Sequence, residues 1–320
     1  MKHERWLDSD GVFLGSAAPV PLDRPFTWSD AERNGVSRRQ LNTMVALGLL
    51  RRPVRGVYVA SQVVDSVALR CAALKLVLDP DVVVADRAAG WLHGLPVLRR
   101  GSHLKAPPIE VCHRTDTRST HGVADGHRRM LANRDIETLH GLRVTTLPRT
   151  CLDLGRLTWR YDAIAALDSG LRAGLSRQSL RDDARRFRGF RGVRQLRALL
   201  EIADGASESP GESALRLHWH EAGLPAPESQ IWLTMGEQRI YRLDLGSRRA
   251  RFAAEFDGEK FHTETEDRTY DEKRRARIES EFGWMIEVFT REIYRDLVGT
   301  QERLRRGYAQ ALRRDARWSA

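Results

Sequence analysis

Apolar residues recur at helical spacing over 64–78, 148–154 and 292–314, each stretch predicting an amphipathic helix. A different period governs Tyr241, Leu243 and Leu245, then Phe252, Ala254 and Phe256, where apolar and polar residues alternate. That alternation predicts two adjacent strands, with the turn placed at Gly246-Ser247. Short strands are also expected over 109–112, 127–131 and 142–146. Val82-Val83-Val84 reads as a strand leading into 85–95. Helices are expected over 214–222 and 267–282, and a strand over 284–289.

Near the N-terminus, residues 1–24 show no sustained period and read as a loose tail. A short helix follows, capped by Ser29 or Asp30 and stopped by Gly35; Ser37 then caps a second helix through Leu47. Residues 51–59 form a short hairpin. Helix, turn, helix and basic hairpin is the order of a winged helix-turn-helix, whose second helix enters the DNA major groove while the wing touches the flanking backbone. The candidate DNA contacts are Arg38, Arg39 and Gln40 on the helix and Arg51, Arg52 and Arg55 on the wing. The segments Gly35-Val36-Ser37-Arg38-Arg39-Gln40-Leu41, Gly48-Leu49-Leu50 and Arg55-Gly56-Val57-Tyr58 resemble the N-terminal domain of AbiEi-type antitoxins. That resemblance implies a transcriptional repressor with a toxin or other protein partner.

The candidate chemistry lies in the alternating pair of strands. Acidic residues are depleted in strands, yet Glu255 interrupts the run Phe252-Ala253-Ala254-Glu255-Phe256, with Asp244 on the preceding strand and Asp257 two residues on. Antiparallel pairing would gather these three carboxylates, with His262, into a patch able to hold a hard divalent cation such as Mg²⁺ or Mn²⁺. Glu212 opens the helix upstream, where the helix dipole alone would also favour an acid. Asp244, the ten-residue gap, Glu255-Phe256-Asp257-Gly258, His262, a basic helix and the strand 283–288 together resemble the PD-(D/E)xK nucleases, and more closely their very-short-patch-repair-like (Vsr-like) branch. The resemblance covers roughly residues 208–300. It implies metal-dependent DNA hydrolysis with Asp244, Glu255 and Asp257 as ligands, and Glu212 and His262 as further site residues. Asp257 stands where many members carry a lysine, and Lys260 is the candidate replacement. Arg268 and Arg274, on the basic helix, are expected to grip DNA.

Composition sharpens this picture. The 320-residue chain carries a net charge of +10, and only five of its 53 basic residues are lysines. The excess is arginine, which binds phosphates bidentately and points to nucleic acid rather than to a membrane. Eight arginines fall between Arg177 and Arg197. Three widely spaced cysteines, with no ligand spacing, suggest neither a disulfide framework nor a structural zinc, and a reducing cytoplasm is expected. The charged start MKHERWLDSD does not read as a signal peptide, and no run long enough for a transmembrane helix occurs.

The expected architecture is α/β and multidomain. It comprises the tail (1–24), the winged helix-turn-helix (25–61), an α+β middle domain (62–156), a basic helical connector (157–204) and a restriction-endonuclease-like mixed sheet flanked by helices (208–320). Two functions stay open: a metal-dependent DNA endonuclease, or an antitoxin-like regulator whose nuclease fold is inactive.

Overall fold

The computed structural model describes residues 4–97, 106–113, 124–258 and 265–318. Among the described residues, eleven α-helices and three sheets make the chain mixed α/β, in two compact units, 1–150 and 151–320. Among them no helix is long and apolar enough to cross a membrane.

The first unit begins with β1 (Phe26–Thr27), α1 (Trp28–Arg33), α2 (Arg38–Ala46), β2 (Leu50–Arg51) and β3 (Val57–Ala60). The strands form a small antiparallel sheet in the order β1-β3-β2. Thr27 is the N-cap of α1, not Ser29 or Asp30: Asp30 sits at the third helical position and reaches back to the Thr27 amide at 2.8 Å, closing a capping box. Ser37 caps α2 as expected. Residues 4–24, expected as part of a loose tail, do not trail loosely. Trp6, Leu14 and Val20 are buried in one cluster with Phe26, Leu41, Met44 and Leu50, because so small a helix pair and sheet cannot close a core alone.

The rest of this unit carries α3 (Val67–Lys75), β4 (Val83–Val84), α4 (Asp86–Leu92), β5 (Ile109–His113), β6 (Ala124–Arg128), β7 (Ile136–Leu139) and β8 (Leu142–Thr145). Its sheet runs β6-β5-β4-β8-β7 and is mixed, with β4 parallel to β8 and β5 parallel to β6. The hairpin β7–β8 is half unannounced by the apolar pattern. Ile136, Glu137 and Leu139 are only partly buried, and the turn is made by His140 and Gly141, both at positive φ (46° and 77°).

The boundary between the units falls inside α5 (Leu147–Leu157). Then follow α6 (Arg160–Arg172), α7 (Arg177–Ala184), α8 (Val193–Ile202), α9 (Pro210–Glu221), β9 (Glu228–Met235), β10 (Gln238–Ser247), β11 (Phe252–Phe256), α10 (Thr265–Phe282), β12 (Met285–Phe289) and α11 (Leu297–Trp318). The segment 157–204, expected as a connector, is packed into this unit. Asp168 of α6 is buried against Arg216 of α9 and accepts the Asp204 amide at 2.7 Å. Of its arginines, Arg181, Arg185 and Arg186 are paired with acids of the same segment.

The second unit's sheet runs β12-β11-β10-β9. Only the β11–β12 pair is parallel, which requires the crossover that α10 supplies. Trp219 of α9 stacks on Phe252 at 5.5 Å, and Tyr308 of α11 meets both rings edge-on. Trp284 is a core residue, 5% exposed and clustered with Leu243 and Ile278.

Candidate functional site

The register of β10 on β11 builds the site. Ser247, Gly246 and Leu245 pair with Phe252, Ala253 and Ala254, so one step further Asp244 comes level with Glu255. The turn lies at 248–251, not at Gly246-Ser247. Gly246 is a strand glycine: a Cβ there would fall 2.4 Å from the Phe252 carbonyl oxygen.

Asp244 Oδ2 accepts the Phe256 amide at 2.8 Å. Its carboxyl is pushed up to about 7, first by burial and then by the charges of Glu212 and Glu255, against the pull of the Phe256 amide and Arg274. Glu212 reaches this cluster from the first turn of α9, where Ser209 caps the helix. Glu212 Oε2 accepts the Glu208 amide at 2.9 Å and the Gln230 side-chain amide at 2.8 Å. Gln230 holds its place in β9 at φ 54°, a left-handed conformation rare for a side chain of this size.

Glu255 is answered by an arginine. The Arg274 guanidinium donates to both Glu255 oxygens at 3.0 Å and to the Arg242 carbonyl at 3.1 Å, and it lies 5.8 Å from the Tyr241 ring. Arg274, expected to grip DNA, is thus turned onto the carboxylate cluster. Asp257, expected as a third ligand, is exposed just past β11, its amide donating to the Phe289 carbonyl at 2.8 Å. The third carboxylate whose field reaches Asp244 is Glu212. Lys260 and His262 lie outside the described residues, as does the side chain of Arg268.

Among the described residues no group of three or more His, Cys, Asp or Glu side chains is arranged to hold a metal ion. The donor chemistry fits a smaller site. Asp244 and Glu255 are hard oxygen donors on paired strands, and Mg²⁺ is commonly held by one or two carboxylates with water completing its shell.

Three residues of this region carry no signal strong enough to single them out along the chain. Trp232 of β9 stays 36% exposed with the Arg239 and Arg242 guanidinia 5.3 and 5.7 Å from its ring, and Arg242 also forks onto Glu208 at 2.8 and 2.7 Å. The alternation of Ser229, Ile231 and Leu233 against Gln230, Trp232 and Thr234 was the signal available for β9.

In the first unit the basic residues gather around the second helix and the hairpin. Arg38 lies over the Trp28 ring at 5.1 Å. Arg52 lies over Tyr58 at 5.2 Å and donates to Asn42 Oδ1 at 2.6 Å. Arg39 and Arg55 are exposed. Two expected contacts are otherwise engaged: Gln40 Oε1 accepts from the Ser37 amide and hydroxyl, and Arg51 donates to the Val63 carbonyl.

Over 253 residues the chain is 30% identical to the uncharacterized proteins MT2308 and Rv2248 of Mycobacterium tuberculosis, strains CDC 1551 / Oshkosh and ATCC 25618 / H37Rv. The match covers 78% of this chain and 89% of each relative. The chain belongs to the family of these mycobacterial proteins. No protein-family model matches it.

Proposed function

We propose that the protein is a DNA-binding protein with a winged helix-turn-helix near its N-terminus and a C-terminal Vsr-like, PD-(D/E)xK-type domain that hydrolyses DNA phosphodiesters with Mg²⁺ or Mn²⁺. One observation carries this reading: Asp244 is half-buried beside Glu212 and Glu255, and burial first, then the charges of these two carboxylates, push it up to about 7. Crowding like charges costs stability, and such perturbed groups cluster at functional sites. Asp244 and Glu255 would hold the cation, with Glu212 adding negative charge from α9. A bound divalent ion would polarise the phosphodiester and make a water nucleophilic at neutral pH. The arginines of α2 and of the hairpin would hold the duplex by its phosphates.

The reading is tested by cleavage of duplex DNA in Mg²⁺ or Mn²⁺. Wild type should cut, and Glu255→Gln, nearly isosteric but neutral, should abolish cutting while leaving DNA binding in EDTA intact. Arg38→Ala with Arg39→Ala should weaken binding and flatten its salt dependence by about one ion for each phosphate no longer neutralised.

A second reading has its own support. Both Glu255 oxygens are engaged by Arg274, and Asp257 replaces the motif lysine. An antitoxin-like regulator with an inactive nuclease fold would bind DNA without cutting it in either metal, and its repression of a reporter would survive Glu255→Gln.

A further inference from the structure

A cavity of about 410 Å³ opens between α1, α2 and the hairpin, lined by Trp28, Arg38, Leu41, Asn42, Arg52, Arg55, Gly56 and Tyr58. Among the described residues that line it none is acidic, and the guanidinium groups of Arg38, Arg52 and Arg55 share its wall. Like charges so placed repel, and an anion entering among them removes the repulsion. Arg38 and Arg52 are held in position. The Trp28 ring carries Arg38, and the Tyr58 ring together with Asn42 Oδ1 fixes Arg52. Stacked and hydrogen-bonded guanidinium groups lose little further freedom when a ligand arrives, which favours affinity. The volume lies within the range of small-molecule sites, roughly 300–1,000 Å³.

We propose that this cavity is a binding site for one nucleotide unit, its phosphate on Arg38, Arg52 and Arg55 and its sugar and base toward Tyr58. The inference rests on the winged-helix reading and gives that element a defined pocket in place of a diffuse basic face. The nucleotide unit can come from a DNA backbone or from a free nucleotide, since the two share the same phosphate chemistry.

The test is calorimetric titration of the full chain in EDTA with deoxyguanosine monophosphate, with inorganic phosphate, and with short duplex DNA. The mononucleotide should bind saturably at one site and more tightly than inorganic phosphate. Asn42→Ala keeps every positive charge and releases only Arg52, and it should weaken the mononucleotide about fivefold, the worth of one hydrogen bond. Arg52→Ala should abolish the binding, with unfolding midpoints confirming that both variants fold. Competition identifies the source: duplex that displaces the mononucleotide assigns the site to a DNA backbone unit, and duplex that binds beside it assigns the site to a free nucleotide. Unsaturable mononucleotide binding, or Asn42→Ala binding like wild type, would overturn the proposal. A wild type that binds the mononucleotide but no duplex would overturn the DNA reading and leave the pocket standing.

Discussion

Two aspartates of the second unit, Asp168 and Asp244, are both pushed above the usual carboxylate range, first of all by burial, and their neighbours answer that burial in opposite ways. Asp168 is fully buried, and it receives the Arg216 guanidinium and the Asp204 amide. Its surroundings neutralise it, and it ties α6 to α9. Asp244 receives the Phe256 amide, but the charges nearest to it include two more carboxylates. A buried acid with a matched cation belongs to the scaffold. One whose neighbours repel it is held by the rest of the fold at a cost, and groups so perturbed cluster at functional sites.

This contrast can be broken most sharply at Asp168. Arg216→Ala leaves a buried charge without its partner and should destabilise the chain by about 3–5 kcal/mol in urea unfolding. A loss under about 1 kcal/mol would mean that Asp168 is not a matched structural acid.

Asp244→Asn should act in the other direction. Because the folded state holds a proton on Asp244 up to about pH 7, against 3.8 for the ordinary carboxyl, the folded chain binds more protons than the unfolded one between those values. Stability therefore falls as pH rises through that window and levels off above it. The asparagine variant lacks this penalty, so its unfolding midpoint should match wild type near pH 4 and exceed it by pH 8. Mg²⁺ should close the gap at pH 8 by stabilising the wild type alone. Equal midpoints at both pH values would remove Asp244 from the comparison.

A smaller effect is expected at Glu212, one of the two carboxylates that raise Asp244. Glu212→Gln keeps the hydrogen bond from Gln230 within reach and removes one repelling charge. The pH window over which stability falls should shift downward and narrow. An unshifted window would leave burial and Glu255 as the sources of the perturbation.

Much of this region was legible along the chain. The alternation around Leu243, Leu245, Phe252 and Ala254 announced β10 and β11, and the acid inside an apolar strand marked Glu255. The turn was misplaced because Gly246-Ser247 has turn composition, whereas Gly246 is needed where the Phe252 carbonyl comes close. Arg274 read as one more basic residue on a helix face, since nothing local shows that its guanidinium reaches back to a carboxylate 19 positions earlier. Glu212 was equally readable as a helix-dipole residue; it lies in the first turn of α9 and within the field of Asp244.

What the sequence by itself determined are the features written at short range: the Ser37–Gln40 cap, the periodic helices, the alternating strands and the arginine-rich charge. These depend on side chains a few positions apart, whose geometry a helix or strand dictates directly. The tertiary structure alone decided which charges meet. The proton on Asp244, the partner of Glu255, the burial of Trp6 and Leu14, and the stacking of Arg38 on Trp28 and of Arg52 on Tyr58 all follow from burial and from neighbours brought together by folding. Solvation and Coulomb interactions depend on distance in space, and separation along the chain does not record it.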